Sequence, residues 1–276
     1  MGVSVVILTL NEEKNLPGCL ESVKWSNDVI VFDSFSSDQT TQIATSYGAQ
    51  VIQRAFDNYA AQRNAALDEP FYKNPWVLML DADERVPDEL ATELRLVTEG
   101  TESDFTLYRI RRKDMFLGKW LRRSSGYPTW FGRLIRIGRV RVEREINEEY
   151  HTDGKVGFLK EHLIHYPFNR GISYWFERHN RYSSMEAEVL FSETQSTQSI
   201  KDLFSSDPAL RRKALKQIAY RLPCRPILVF GYLYVVRLGI LDGRPGLIYC
   251  ILRCIYEYLI DIKAKELQQR ARGQAL

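Results

Sequence analysis

Three carboxylates stand within four residues directly after an apolar run. Residues 77–80 are Val-Leu-Met-Leu, and Asp81, Ala82, Asp83 and Glu84 follow. Four consecutive apolar residues are typical of a strand buried on both faces. Carboxylates gathered at a strand end repel one another unless a cation lies between them, and hard ions such as Mg²⁺ and Mn²⁺ prefer oxygen ligands. The stretch predicts a divalent metal site, provided that the chain turns after Asp81, because alternate strand residues project to opposite faces.

A structural interpretation of the same residues is open as well. In it, Pro87 occupies the first position of a helix, and Asp88 and Glu89 complement the helix dipole. The acidic run would then be a helix N-terminus without a ligand.

Strand-like and helix-like segments alternate over the first eighty residues. The strand-like runs are residues 3–10, 29–32, 51–52 and 76–80, with helical spacing of apolar residues between them. This alternation predicts a doubly wound α/β sheet that binds ligands at the carboxyl ends of its strands. Polar residues gather at those ends, namely Asn11, Glu12, Asp33, Asp38, Asp81 and Asp83. No glycine-rich phosphate loop occurs, so a nucleotide would bind through its base and ribose and through a metal on its diphosphate.

The composition indicates a globular protein and gives no indication of nucleic-acid binding. The 276 residues are 45% hydrophobic and 26% charged, and the net charge of +3 is too mild to indicate a nucleic-acid partner. The four cysteines show no paired framework, which fits a reducing compartment. No signal-peptide pattern precedes the first strand, so a cytoplasmic location is expected.

The pattern changes after residue 105, where shorter strand-like pieces follow one another. His162 and His165 lie in the last of these, and we interpret them as structural residues, because a histidine on a strand is more often structural than catalytic. We predict one domain over residues 1–205, which ends after the strand-like pieces, and a separate helical region over residues 206–276.

The helical region combines basic and apolar segments. Residues 208–220 form a basic amphipathic pattern, and the apolar pieces 226–236 and 247–262 are flanked by arginine. Neither piece reaches the ~18 to 20 uninterrupted apolar residues that a spanning helix needs. We predict that these helices lie on the inner face of the plasma membrane, with attraction to anionic lipid. The alternative is a helical pack or an interface of a homo-oligomer.

Four motifs in this order resemble the family-two inverting glycosyltransferases of the GT-A fold. They are ILTLNE at residues 7–12, VFDSFSSDQT at 31–40, RN at 63–64 and DAD at 81–83. Further motifs resemble the branch that adds glucose to the inner core of lipopolysaccharide, namely DMFLGKW at 114–120, Tyr127-Pro128, Arg133-Leu134 and LDGRPG at 241–246. The resemblance implies a Rossmann-like, mixed but mostly parallel sheet flanked by helices, with a helical C-terminal extension that associates with the membrane.

The resemblance also implies roles for single residues. Thr9, Asn11 or Glu12, and Asp33 would line the nucleotide pocket, and Arg63 would lie near the diphosphate. Asp83 would bind Mg²⁺ or Mn²⁺ directly, and Asp81 would lie near the ribose or the metal. Glu148 stands where the branch carries the glutamate of Val-His-Glu, so it inherits the role of catalytic base. Asn147 replaces the histidine of that motif, and Ser34 stands where many members have a second aspartate.

The implied reaction is a metal-dependent single displacement that inverts the anomeric carbon. The expected donor is a UDP-sugar, with UDP-glucose favoured by the resemblance, and the acceptor is a saccharide or a lipid-linked saccharide. One alternative is transfer onto a polyprenyl phosphate. Another is a scaffold protein that binds sugar nucleotides without turnover, although the retention of both Asp81 and Asp83 argues against it.

Overall fold

The computed structural model describes residues 2–68, 72–99, 104–143, 149–195 and 224–274. The chain forms two units, one of residues 1–120 and 127–170, the other of residues 121–126 and 171–276. The predicted domain boundary at residue 205, the basic segment 208–220 and Glu148 lie outside the described residues.

The first unit contains eleven described strands and four described helices. The strands are β1 (Val3–Thr9), β2 (Val29–Asp33), β3 (Gln50–Gln53), β4 (Trp76–Asp81), β5 (Glu84–Arg85), β6 (Phe105–Phe116), β7 (Lys119–Trp120), β8 (Trp130–Arg136), β9 (Val140–Glu143), β10 (Glu149–Thr152) and β11 (Lys155–His165). The helices are α1 (Leu16–Ser22), α2 (Thr40–Ser46), α3 (Tyr59–Asp68) and α4 (Asp88–Thr98).

Nine of these strands form one sheet in the order β3-β2-β1-β4-β8-β6-β11-β5, with β7 paired to β6. Strands β1 to β4, β6 and β11 run in one direction, whereas β5, β7 and β8 run against their neighbours. Strands β9 and β10 form a separate antiparallel pair. The predicted mixed, mostly parallel α/β sheet is therefore confirmed.

Strand β4 is buried on both faces, as its apolar run predicts. Leu78 and Leu80 pack into the core beneath α1 and α4, and Val77 and Met79 pack into a second core on the side of α3. All four side chains are fully buried. This double burial is why the strand reads as a continuous apolar run instead of an alternating pattern.

The chain turns after Asp81, as a metal site requires. Strand β4 ends at that residue, and the two-residue strand β5 begins at Glu84. Helix α4 starts only at Asp88, and Pro87 is its N-cap instead of its first helical residue. The turn that carries the acidic run thus precedes the helix N-terminus. Asp88 and Glu89 lie in the first turn of α4, as the structural interpretation predicts, and only the position of Pro87 differs by one residue.

Three further helices lie in the described part of the second unit. They are α5 (Ile172–Gln195), α6 (Arg225–Gly231) and α7 (Gly243–Ala271), with a π-helical turn at Tyr232–Val236 and a 3-10 turn at Gly239–Asp242. Helix α5 packs on α7, where Lys263 donates hydrogen bonds to the Asn180 side chain (2.7 Å) and to Ser183 Oγ (2.8 Å). Within the described residues, no single helix is long and apolar enough to cross a membrane. The predicted helical C-terminal extension is confirmed over the described part.

Candidate active site

The loop after β2 is organised by one buried carboxylate. Asp33 is fully buried at the end of β2, beside Thr9 at the end of β1. Its Oδ1 accepts a hydrogen bond from Thr9 Oγ1 (2.9 Å), and its Oδ2 accepts from Ser36 N (2.9 Å) and Gln53 Nε2 (3.1 Å). Thr9 and Asp33, both predicted to line the nucleotide pocket, are therefore in direct contact, and Asp33 fixes the backbone that follows β2.

A second polar side chain ties the loop after β1 to the loop after β2. Asn11 has a left-handed backbone conformation (φ 56°), in which its backbone N–H donates a hydrogen bond to Ser36 Oγ at 2.8 Å. Its Oδ1 accepts a hydrogen bond from Ser37 N at 2.7 Å. Asparagine tolerates this conformation better than most residues do. The predicted pocket residue Asn11 thus holds the two loops together.

Glu12, also predicted for this pocket, lies in a partly buried ion pair. Its carboxylate accepts hydrogen bonds from Arg170 Nη1 (3.1 Å) and Asn15 Nδ2 (2.8 Å). Burial raises the pKa of Glu12 to about 6; the hydrogen bond from Asn15 opposes this shift, and the negative charge of Asp83 adds to it. The influence of Asp83 shows that the pocket loop and the acidic turn share one electrostatic environment.

Two arginines bind the carboxylate of Asp81. Arg63 Nη2 lies 2.9 Å from Oδ1, and Arg133 Nη2 lies 2.5 Å from Oδ2. Burial alone would raise the pKa of Asp81, but the charges of Arg133 and Arg63 hold it well below its usual range. Arg63, predicted near the diphosphate, and Asp81, predicted near the ribose or the metal, are in direct contact, and Arg133 binds the second oxygen of Asp81.

Arg133 also joins Asp81 to the next carboxylate. It lies 2.8 Å from Glu84 Oε1, and only 2% of its surface is exposed. Glu84 is fully buried, and its Oε2 accepts a hydrogen bond from the backbone amide of Asp81 at 3.0 Å. Arg133 therefore binds the side chains of Asp81 and Glu84, and Glu84 binds the backbone amide of Asp81. These contacts fix the orientation of the residues between Asp81 and Glu84.

His165 reaches the acidic turn from the end of β11. Its Nε2 lies 3.2 Å from Asp83 Oδ2, and its Nδ1 lies 2.7 Å from Asp114 Oδ1. Burial and the charge of Arg112 oppose protonation, yet Asp83 and Asp114 raise the pKa of His165 to about 9. Burial favours a higher pKa for Asp83, but the charge of His165 and its hydrogen bond lower the pKa of Asp83 below its usual value.

We interpreted His165 as a structural residue, and its contacts with Asp83 and Asp114 were not predicted from the sequence. The signal lies in strand register, since β6 and β11 are parallel and pair Asp114 with His165. Both residues therefore stand near the carboxyl ends of their strands, at the edge where the acidic turn lies. Arg133 was noticed only as part of a motif, and no role was predicted for it.

The residues of the turn differ in how well they fit a divalent cation. Both oxygens of Asp81 are bound to guanidinium groups, whereas Asp83 and His165 place one oxygen and one nitrogen 3.2 Å apart. A cation bound between these two atoms would replace the proton that Nε2 of His165 directs at Asp83. No group of three or more histidine, cysteine or acidic side chains among the described residues is arranged to hold a metal by itself. Two protein donors nevertheless fit Mg²⁺ or Mn²⁺ in a nucleotide site, because waters and diphosphate oxygens supply the remaining ligands.

Comparison with known proteins assigns the family. The sequence model of "Glycosyl transferase family 2" matches residues 4–167, which is more than half of the chain and includes the loops and the acidic turn described above. The chain belongs to glycosyl transferase family 2. The predicted family and the enzyme class, a glycosyltransferase, are thus confirmed.

Several curated glycosyltransferases are similar to this family-2 chain. One from Rickettsia typhi is 28% identical over 278 residues, 98% of this chain and 89% of the relative. Another from Rickettsia prowazekii is 30% identical over 68% of each chain. The lipopolysaccharide core biosynthesis glycosyltransferase LpsC of Rhizobium meliloti is 27% identical over 67% of this chain and 70% of its own length.

Solved structures show weaker similarity to this family-2 chain. Staphylococcus aureus TarS in complex with UDP covers 99% of this chain and 92% of its own at 17% identity, with a TM-score of 0.45. Glucosyl-3-phosphoglycerate synthase of Mycobacterium tuberculosis, in complex with Mg²⁺ and UDP, covers 42% and 44% at 22% identity, with a TM-score of 0.33. Scores below 0.5 add nothing to the assignment of the fold or the site.

The buried ion pairs predict that Arg133→Met destabilises the protein. The substitution leaves the carboxylates of Asp81 and Glu84 without a partner that contacts both of them, and breaking a buried pair in this way costs about 3 to 5 kcal/mol. Urea denaturation followed by circular dichroism measures the change in the free energy of unfolding.

Arg139→Met is the matched control for this substitution. Arg139 pairs with Asp153 at 3.0 Å on the surface, where the two side chains are 45% and 68% exposed. Its loss should change the free energy of unfolding by less than about 1 kcal/mol. Equal effects of the two substitutions would contradict a structural role of Arg133 at the turn.

Proposed function

We propose that this family-2 enzyme transfers a hexose, with glucose from UDP-glucose as the first candidate, onto a saccharide or lipid-linked acceptor in lipopolysaccharide core synthesis. The observation that carries the proposal is the pair formed by Asp83 and His165 beside the pocket loop of Asn11 and Asp33. This pair supplies two metal donors at the strand ends where a nucleotide diphosphate would lie. The similarity to LpsC, whose name assigns it to lipopolysaccharide core biosynthesis, supports the acceptor class.

Thr9, Asn11, Glu12 and Asp33 are the proposed pocket for the nucleoside of the donor. Asp33 and Asn11 act by holding the loops after β1 and β2, since their polar atoms are bound to Ser36 and its neighbours. Arg63 is proposed to lie near the diphosphate, where it keeps its contact with Asp81. Because these loops are already ordered in the folded protein, donor binding does not have to order them and loses less conformational entropy.

Asp83 and His165 would hold the divalent ion. When bound, such an ion neutralises the charge that develops on the leaving diphosphate. Asp114 orients His165 by occupying Nδ1, which leaves Nε2 directed at Asp83. This arrangement, in which a carboxylate fixes the ring of a metal-binding histidine, is common in metal sites.

Glu148 is the proposed catalytic base. In a single displacement, the acceptor hydroxyl oxygen forms a bond to the anomeric carbon while the bond from that carbon to the diphosphate oxygen breaks. The hydroxyl proton passes to the Glu148 carboxylate, and the nucleoside diphosphate leaves with the bonding electrons. Attack from the face opposite the leaving group inverts the anomeric carbon, so an α-linked donor gives a β-linked product.

Asp83→Asn tests the metal assignment. With Mn²⁺ and a panel of UDP-sugars, release of free UDP should fall at least about 100-fold, because the oxygen donor that stabilises the leaving group is weakened. Asp153→Asn is the control, since Asp153 is an exposed surface aspartate. Unchanged UDP release by a folded Asp83→Asn protein would refute the proposed role of Asp83.

Glu148→Gln separates donor binding from transfer. The turnover number should fall by about 10² to 10⁴, as expected for loss of a general base. The affinity for UDP and Mn²⁺, measured by titration calorimetry, should stay the same. Glu149→Gln is the neighbouring control and should retain activity; a Glu148→Gln enzyme with normal turnover would exclude Glu148 as the base.

A further inference from the structure

A continuous apolar segment of the second unit is exposed to solvent. Residues 227–241, which we call the apolar elbow, contain one charged side chain, Arg237, and no acidic residue. Six large side chains of the elbow are between 51% and 69% exposed, namely Ile227, Tyr232, Val235, Val236, Ile240 and Leu241. An exposed apolar patch of this kind is unfavourable in water and is typical of an interaction surface.

The elbow has a defined bend. The helical segments Arg225–Val236 and Gly239–Ala271 meet at an angle of 71°. Leu238 lies between them in a left-handed conformation (φ 60°), and Gly239 approaches the chain so closely that an added Cβ would lie 2.6 Å from the Leu233 carbonyl oxygen. Only glycine fits at that position without a shift of the backbone.

Buried polar contacts hold the bend in place. Asp242 is 3% exposed, and its Oδ2 accepts hydrogen bonds from the backbone amides of Arg123 (2.9 Å) and Ser124 (2.8 Å). At the base of the elbow, buried Arg225 forms ion pairs with Glu257 and, at 3.1 Å, with Asp261. The apolar side chains are thus presented by a well-anchored backbone.

The charges around the elbow identify a partner. Between residues 224 and 250 the charged residues are Arg225, Arg237, Asp242 and Arg244. Arg225 and Asp242 are buried in the contacts described above, whereas Arg244 is exposed and Arg237 is half-buried. An apolar surface that carries basic residues in this way is complementary to a bilayer with anionic headgroups. A symmetric contact with a second copy would bring like charges together, with no acid in the elbow to pair them.

Length and bend favour a position in the interface. The segment Arg225–Val236 is roughly 18 Å long at 1.5 Å per helical residue, which is shorter than the ~30 Å hydrocarbon core. It meets the length and composition of a spanning segment only together with Gly239–Ala271, across the 71° bend.

We propose that the apolar elbow inserts into the boundary between headgroups and acyl chains of an anionic bilayer, with Arg237 and Arg244 at the lipid phosphates. This contact would hold the enzyme at the surface on which a lipid-linked acceptor is displayed. The proposal concerns the second unit alone and does not depend on the identity of the transferred sugar.

Vesicle flotation of the full chain tests the proposal. Vesicles of phosphatidylcholine with about one-third phosphatidylglycerol should carry the wild-type protein, and phosphatidylcholine alone should carry much less. The double variant V235D/V236D should reduce the floated fraction at least about tenfold, since it replaces two inserted apolar side chains with charges. The control is Leu96→Asp, at an apolar residue of α4 that is similarly exposed (61%).

Two further results decide between a bilayer and other partners. R237Q/R244Q should reduce the preference for anionic vesicles while circular dichroism stays unchanged. Flotation of V235D/V236D at the wild-type level would overturn the proposal. So would sedimentation velocity if V235D/V236D dissociated a dimer while flotation was unaffected, since the elbow would then be an interface between copies of this chain.

Discussion

Arg133 binds two carboxylates at once, and the geometry of the acidic turn depends on this contact. It holds Asp81 and Glu84 at 2.5 Å and 2.8 Å with almost no exposed surface, while Arg63 binds the other oxygen of Asp81. Three charges of one sign in four residues would otherwise repel one another in a buried place. With Asp81 and Glu84 neutralised by arginine, Asp83 is the carboxylate of the turn that is left facing the histidine.

The partners of the turn come from the second half of the sheet. Arg133 lies on β8, which pairs with β4, and Asp114 and His165 lie on β6 and β11, which pair with each other. The first half of the sheet supplies the turn itself and the pocket loops. The order β4-β8-β6-β11 therefore brings together residues that are 30 to 84 positions apart from the turn in the chain. Family membership, the pocket loops and the pair of Asp83 with His165 all favour the same edge of the sheet as the active site.

Much of the first half could be predicted from the sequence, because doubly buried strands read as apolar runs and their ends are polar. The contact of Thr9 with Asp33 follows from two adjacent parallel strands. The contacts of Arg133 and His165 were not predicted, because they depend on pairings between distant strands that the local sequence pattern does not encode. Asp81 was predicted near the ribose or the metal, and its two arginine partners make it an anchor of the turn. The apolar pieces of the C-terminal region were visible in the sequence, but the bend that presents them depends on long-range contacts of Asp242.

We propose that Asp83 and His165 hold the divalent ion while Asp81 stays bound to its arginines. Anomalous diffraction from crystals grown with Mn²⁺ and UDP locates the metal directly. We expect one Mn²⁺ peak within coordination distance of a carboxylate oxygen of Asp83 and of Nε2 of His165, with Arg63 and Arg133 still on Asp81. A manganese ion coordinated by Asp81 after loss of its arginine contacts, or one with no contact to His165, would contradict it.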